Sequence, residues 1–156
     1  MRKIMLNGQW ELAEAGNDRL CEVQVPGSVL SGLYGAGKIE DPFYRTNEDV
    51  TRELFRKDYE FSRTFVAAED ILKEEKIILV CEGLDTLADI YVNGQKAGSA
   101  DNMHRTWKLD VKEFLHSGEN QIRIVFQSVF KYIEAYEYED NKEIHYVPCG
   151  GMKGNQ

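Results

Sequence analysis

The 156-residue sequence has few of the residues from which disulfides and metal sites are built. The three cysteines are an odd number without CxxC spacing, so neither a complete disulfide framework nor a zinc site is predicted. The three histidines lie too far apart for a helical zinc motif. These six residues are Cys21, Cys81, Cys149, His104, His116 and His145. We therefore expect no metal and no cofactor, and we interpret Cys81, in the apolar stretch 77–81, as a core residue.

Long hydrophobic runs and an excess of positive charge are also absent. No stretch of eighteen apolar residues occurs, and the apolar run within residues 1–8 is too short for a signal peptide. Nineteen basic residues against 27 acidic ones give a net charge of -8, without a Lys/Arg cluster that would attract a phosphate backbone. We expect a cytoplasmic protein with neither a membrane nor a nucleic acid as partner.

What the sequence does have is a recurrent strand pattern. Short segments with alternating or continuous apolar character, bounded by Gly, Pro, Asn and Asp, are typical of strands in a sandwich or barrel. The predicted strands are 9–14, 21–25, 57–66, 76–83, 87–92, 95–98, 106–111 and 120–128. Predicted helices are short, at 28–34, 68–74 and 111–115, the last with Asp110 as N-cap. Strands without crossover helices predict an all-β, jelly-roll antiparallel β-sandwich with short helices in its loops.

Two features inside this pattern are specific. Asn93 and Gly94 supply the positive φ angles of a two-residue hairpin turn between the strands 87–92 and 95–98. Arg63 interrupts the apolar face of the strand 57–66, either as a snorkelling side chain near the sheet edge or as part of an inward ion pair.

The length corresponds to a single domain over residues 1–156. The connection between Val25 and Lys57 is long and rich in glycine, and such loops are usually functional or ordered by a partner. Residues 139–156 lack strand or helix pattern, which predicts an irregular tail and indicates a piece of a larger protein.

Catalytic motifs are missing. Glycoside hydrolysis needs two carboxyl groups about 5 to 9 Å apart, one with a raised pKa, and no acidic pair stands out. Neither a GxSxG elbow nor a phosphate loop is present. Two polar and aromatic clusters remain, at 40–48 and 100–107. Their amide, carboxylate, guanidinium and ring groups suit a sugar, although they equally suit contacts between loops or with a neighbouring domain.

At these clusters the sequence resembles the N-terminal domain of β-mannosidases of glycoside hydrolase family 2. The resemblance covers nearly the whole chain in order. It is carried by LNGQW (6–10), VPGSV (25–29), DPFYRTNE (41–48), GLDTLA (83–88), YVNG (91–94) and DNMHR (101–105).

This resemblance implies a non-catalytic, galactose-binding-like jelly-roll domain in a retaining β-mannosidase. Its partners would be the immunoglobulin-like domains and the catalytic TIM barrel of the same chain, and a β-mannoside or related sugar. The catalytic glutamates of the family belong to the barrel, so none is expected here. The resemblance also places the loop around Asn47 near the mouth of the barrel. Asn47 is therefore the first substrate-binding candidate, supported by Asp41 and Arg45.

Two alternatives are a free-standing carbohydrate-binding module and a structural interaction domain with an exposed apolar patch.

Overall fold

The computed structural model describes residues 2–42, 44 and 47–140, without the side chains of 48–50 and 136–140. All eight predicted strands form there, with ends within two residues of the predicted ones. They are β1 Gly8–Glu14, β2 Arg19–Val25, β3 Tyr59–Ala67, β4 Ile78–Glu82, β5 Ala88–Val92, β6 Gln95–Ala100, β7 Thr106–Asp110 and β8 Gly118–Phe126.

The strands form two antiparallel sheets of unequal size. Six strands pair in the order β2-β1-β3-β8-β5-β6, and β4 pairs with β7 in a separate two-stranded sheet. Every pairing is antiparallel. The predicted all-β antiparallel sandwich is confirmed, with a large layer and a small one.

The core lies on the inner face of the large sheet, where alternate residues of β2, β5 and β8 are buried. Leu12, Ile90 and Ile122 are among its most buried side chains. Leu109 of β7 packs over β6 at Gly98, where an added Cβ would lie 2.8 Å from the leucine side chain. Because glycine has no Cβ, the two layers can approach closely at this point. Cys81 of β4 is part of the same buried cluster, as predicted.

The predicted helices form in shorter versions. They are α1 Val29–Gly35, α3 Glu69–Leu72 and a 3-10 helix Lys112–Phe114. Ser28 caps α1 by accepting a hydrogen bond from the Ser31 amide. The predicted N-cap Asp110 is wrong, because Val111 occupies that position. Asp110 Oδ1 accepts instead from the Lys112 amide at 3.2 Å.

Two helices were not predicted. The first, α2 Asn47–Phe55, lies in the long connection, and the second, α4 Val129–Asp140, follows β8. Ser128 joins them: its hydroxyl donates to the Phe55 carbonyl at 2.6 Å and accepts from the Lys131 amide at 3.3 Å. Since α4 reaches Asp140, the first two residues of the predicted tail are helical. Residues 141–156, including Cys149 and His145, lie outside the described residues.

The predicted hairpin turn is confirmed and is tied to the core by two asparagines. Asn93 and Gly94 have φ angles of 49° and 79°. Asn93 Nδ2 donates to the Phe114 carbonyl and to Asn120 Oδ1, both at 2.8 Å. Asn93 Oδ1 accepts from the Gln121 amide at 2.9 Å. The turn between β5 and β6 is therefore joined to the start of β8.

Arg63 does not form the inward ion pair that was one of its two predicted roles. Its Nη1 donates to the carbonyls of Leu6 and Asn7 at 2.9 and 2.8 Å, and the structure records no ion pair between it and a described carboxylate. The guanidinium thus fixes the segment that leads into β1. Trp10 Nε1 donates to the same Leu6 carbonyl at 2.7 Å.

Candidate functional site

The loop 41–47 is closed by its own hydrogen bonds. Asn47 Nδ2 donates to the Asp41 carbonyl at 2.8 Å, and the Tyr44 amide donates to the same oxygen at 3.1 Å. The Asn47 amide nitrogen donates to the Tyr44 carbonyl at 3.2 Å. Two predicted site residues, Asp41 and Asn47, are thereby brought together. The third, Arg45, lies outside the described residues.

Asn47 is the first residue of helix α2, and hydrogen bonds fix this helix at both of its ends. Thr51 Oγ1 donates to the Asn47 carbonyl at 2.9 Å in the first turn, and Ser128 binds the Phe55 carbonyl in the last. Leu54 of α2 and Ile39 before the loop are partly buried against the core. The loop is therefore carried by a packed element and does not depend on its own bonds alone.

Asn47 keeps part of its hydrogen-bonding capacity. It is half-buried, and its side-chain oxygen accepts no hydrogen bond from the described part of the chain. A side-chain amide offers two donor hydrogens and an acceptor oxygen, so the acceptor and one donor remain for a ligand or a neighbouring domain. The side chain of Tyr44 is exposed beside it.

The second cluster, at 100–107, is organised around Asn102. The Asn102 carbonyl accepts from Trp107 Nε1 at 3.2 Å, and its Oδ1 accepts from the His104 amide at 2.9 Å. The guanidinium carbon of Arg105 lies 4.7 Å from the centre of the Trp107 ring. Because Arg105 covers the indole, Trp107 does not offer an open ring for stacking against a sugar.

A polar network that the sequence analysis did not identify lies on the outer face of the large sheet. Asp89 of β5 accepts hydrogen bonds from Lys96 at 2.8 Å, Ser99 at 2.7 Å and Gln127 at 3.1 Å. The hydrogen bond from Lys96 lowers the pKa of Asp89; partial burial opposes it, and the bonds from Ser99 and Gln127 reinforce it. Asp89 is held as a carboxylate, which is unsuited to the general acid of glycoside hydrolysis.

Among the described residues, the surroundings of the cysteine thiols and of the possible metal ligands suit neither a nucleophile nor a metal site. Burial raises the pKa of the Cys81 thiol to about 11, which keeps it protonated and unreactive. Burial also raises the pKa of Cys21, although nearby Lys38 and Arg19 partly oppose it. No group of three or more His, Cys, Asp or Glu side chains in the described ranges could hold a metal ion. Nor does any described helix have the length and apolar character needed to cross a bilayer.

Comparison with known proteins identifies the family. The family described as glycosyl hydrolase 2 galactose-binding domain-like matches residues 10–156. This chain belongs to that family. The galactose-binding-like part of the fold prediction is thereby confirmed.

Two named relatives and one solved structure are similar to this chain over most of its length. A probable β-mannosidase of Caenorhabditis elegans is 33% identical over 138 residues, covering 87% of this chain and 15% of that protein. The β-mannosidase of Capra hircus is 30% identical over 145 residues, covering 93% and 16%. The crystal structure of β-D-mannosidase from Dictyoglomus thermophilum superposes with a TM-score of 0.84 at 33% identity, covering 88% and 17%. The chain thus spans about a sixth of these proteins' lengths.

Proposed function

We propose that this chain is the non-catalytic N-terminal domain of a retaining β-mannosidase-like glycoside hydrolase. In that protein it packs on the catalytic TIM barrel and adjoins the immunoglobulin-like domains, and its loop 41–47 helps to shape the pocket for the terminal β-linked sugar. Its likeness to proteins named β-mannosidase over most of its own length supports this role. The cytoplasmic location stays a prediction.

The observation that carries the proposal is the partly used hydrogen-bonding capacity of the Asn47 side chain. Its amide is used to close the loop on the Asp41 carbonyl, which orients the side chain, while its oxygen remains available. Oriented polar groups with unused bonding capacity suit the recognition of sugar hydroxyls because they need little reorganisation on binding. Asp41, at the exposed start of the same loop, is the supporting residue.

The first test is substitution of Asn47 by alanine in the full-length enzyme, assayed with a chromogenic β-mannoside. We expect KM to rise by roughly tenfold, which corresponds to one lost hydrogen bond, while kcat changes less. Asn17→Ala is the matched control, because Asn17 lies exposed in the turn between β1 and β2. Equal kinetics for the two variants, at equal thermal stability, would remove Asn47 from the pocket.

The second test addresses the absence of catalysis. The 156-residue chain alone should not hydrolyse the chromogenic β-mannoside, because the catalytic glutamates are expected in the barrel. Hydrolysis by this chain that a single Asp or Glu substitution abolishes would contradict the proposal. The sharpest candidates for that substitution are Asp89 and Glu60, which lie on the outer face of the large sheet with only 19% and 16% of their side chains exposed.

A free-standing carbohydrate-binding module is the second candidate, favoured by the exposed Tyr44 beside the available Asn47 oxygen. Titration of the chain with mannose and mannobiose, followed by amide chemical shifts, separates the two candidates. Shifts confined to residues 41–48 at millimolar sugar would favour the module. An unchanged spectrum would favour a domain that contacts sugar only when the barrel is present.

A further inference from the structure

Ser128 lies buried where helix α2 ends, strand β3 begins and helix α4 starts. It is 6% exposed, although it is polar. Its hydroxyl donates to the Phe55 carbonyl at 2.6 Å, and its backbone amide donates to Asp58 Oδ1 at 2.8 Å. Phe55 is the last residue of α2, and Asp58 lies directly before β3. Ser128 therefore holds both ends of the short connection between the helix and the strand.

The contact to Phe55 meets a requirement of the helix end. The last carbonyls of an α-helix have no partner within the helix, so another group must bind them. The Ser128 hydroxyl does so at Phe55, and it accepts a hydrogen bond from the Lys131 amide at 3.3 Å. The hydroxyl thus uses its hydrogen and a lone pair inside the protein. Substitution of Ser128 by alanine would remove this donor from the end of α2.

Helix α2 connects this junction to the loop 41–47. It has nine residues, from Asn47 to Phe55, and is about 12 Å long. In a stiff helix of that length, a tilt of about 5° at one end moves the other end by about 1 Å. Leu54 packs against the core, but apolar contacts are not directional and do not fix such a tilt. Because hydrogen-bond distances lie within about 2.7 to 3.2 Å, a shift of this size would break a contact of Asn47 Oδ1.

We propose that Ser128 is a positioning residue for Asn47. By fixing the end of α2, it determines where the oxygen of the Asn47 side chain lies. Thr51 continues the link, because its hydroxyl donates to the Asn47 carbonyl at 2.9 Å in the first turn of the same helix. This inference rests on the proposed function of the loop 41–47. Ser128 acts on sugar binding through Asn47 and not by contact with the sugar.

A double-mutant cycle in the full-length enzyme, assayed with a chromogenic β-mannoside, tests this role. Ser128→Ala should raise KM by about fivefold and change kcat less, because Asn47 is displaced and not removed. In the Asn47→Ala background, the same substitution should leave KM within about twofold of that of N47A, since residues that act through one contact are not additive. Ser128→Thr keeps the hydroxyl and should keep the KM of the parent enzyme.

Ser99→Ala is the matched control, because it also removes a serine hydroxyl that makes a hydrogen bond. The Ser99 hydroxyl donates to Asp89 Oδ1 at 2.7 Å, on the strand β6 at the edge of the large sheet. This variant should leave KM unchanged. A rise in KM for Ser128→Ala alone would then report the position of α2 and not the general loss of a hydroxyl.

A second variant weakens the same junction in case Ser128→Ala is too unstable to assay. Asp58→Asn exchanges the carboxylate that accepts from the Ser128 amide for a neutral side chain, and hydrogen bonds to a neutral acceptor are weaker. Its rise in KM should be smaller than that of Ser128→Ala. That rise should likewise disappear when Asn47 is already alanine.

Two outcomes would overturn the inference and leave the proposed function standing. One is a raised KM for N47A together with an unchanged KM for S128A. The other is an effect of S128A on KM that is fully retained in the N47A background. Equal kinetics of N47A and the parent enzyme would instead contradict the proposed function itself, and the role of Ser128 with it.

Discussion

Asn120 and Asn47 have the same side chain and very different surroundings. Asn120 in β8 is 1% exposed, and all of its hydrogen-bonding groups are used. Its Oδ1 accepts from Asn93 Nδ2 and the His116 amide, and its Nδ2 donates to the carbonyls of His116 and Gly118. Asn47 is half-buried and makes one side-chain hydrogen bond, to the Asp41 carbonyl.

The difference separates a residue whose side chain is fully used by the fold from one that keeps unused hydrogen-bonding capacity. A buried polar group must find all its partners inside the protein, because leaving one unpaired costs about 1 to 3 kcal/mol. A half-buried group can leave one atom for water or for a ligand. The presence of an asparagine in the sequence therefore predicts neither role. The two roles are distinguished by how many of the side chain's polar atoms form hydrogen bonds within the protein.

The largest effect is expected from Asn120→Ala. The substitution removes one of the two acceptors of Asn93 Nδ2 and leaves the His116 backbone amide and the carbonyls of His116 and Gly118 without the Asn120 side chain. We expect the free energy of unfolding to fall by about 3 kcal/mol. Urea denaturation followed by tryptophan fluorescence measures the change. Asn17→Ala, at an exposed turn, should stay within about 0.5 kcal/mol of the parent chain. Equal losses in the two variants would break the distinction.

Asn47→Ala should have a smaller effect on stability. It removes one hydrogen bond at a half-buried position, so a loss of about 1 kcal/mol or less is expected. The same urea experiment applies, and limited proteolysis reports whether the loop 41–47 opens. A loss as large as that of Asn120→Ala would show that Asn47 is primarily structural and would weaken its assignment to the sugar pocket.

The smallest effect on the free energy of unfolding is expected from protonation of the Asp89 carboxylate. Its pKa is lowered from the ordinary 3.8, mainly by Lys96, so the ionised form is favoured by folding. Its contribution to stability is present above pH 3.8 and is lost as the pH falls through the lower pKa of the folded state. Acidification from pH 7 to pH 3 should therefore destabilise the parent chain more than Asp89→Asn. Parallel pH profiles of unfolding free energy for the two proteins would rule this out.

The strands were predictable because their signal is local. Alternation of apolar and polar residues located all eight, and Asn93 with Gly94 located the β5–β6 turn, since the turn requires positive φ angles. Helices α2 and α4 were not predicted because α2 has only nine residues and α4 has a weak apolar period. They are held by contacts distant in sequence, such as Ser128 with the Phe55 carbonyl.

The candidate site was only partly predictable. The motif around 41–48 identified Asp41 and Asn47, and the structure brings them together through one hydrogen bond. The interpretation of the 100–107 cluster as a sugar surface was weakened by Arg105, which covers the Trp107 ring. That contact depends on the loop conformation, which residue types alone do not specify. The network around Asp89 combines residues from β5, β6 and the segment after β8, so no single stretch reveals it.

By itself the sequence determined the antiparallel strands, their turns and the family, because alternation, turn chemistry and ordered motifs are properties of neighbouring residues. The tertiary structure decided how the described strands divide into a sheet of six and a sheet of two, and how many hydrogen bonds each asparagine side chain makes. Those features depend on which distant groups meet, since a hydrogen bond or a buried contact exists only when both partners are in place.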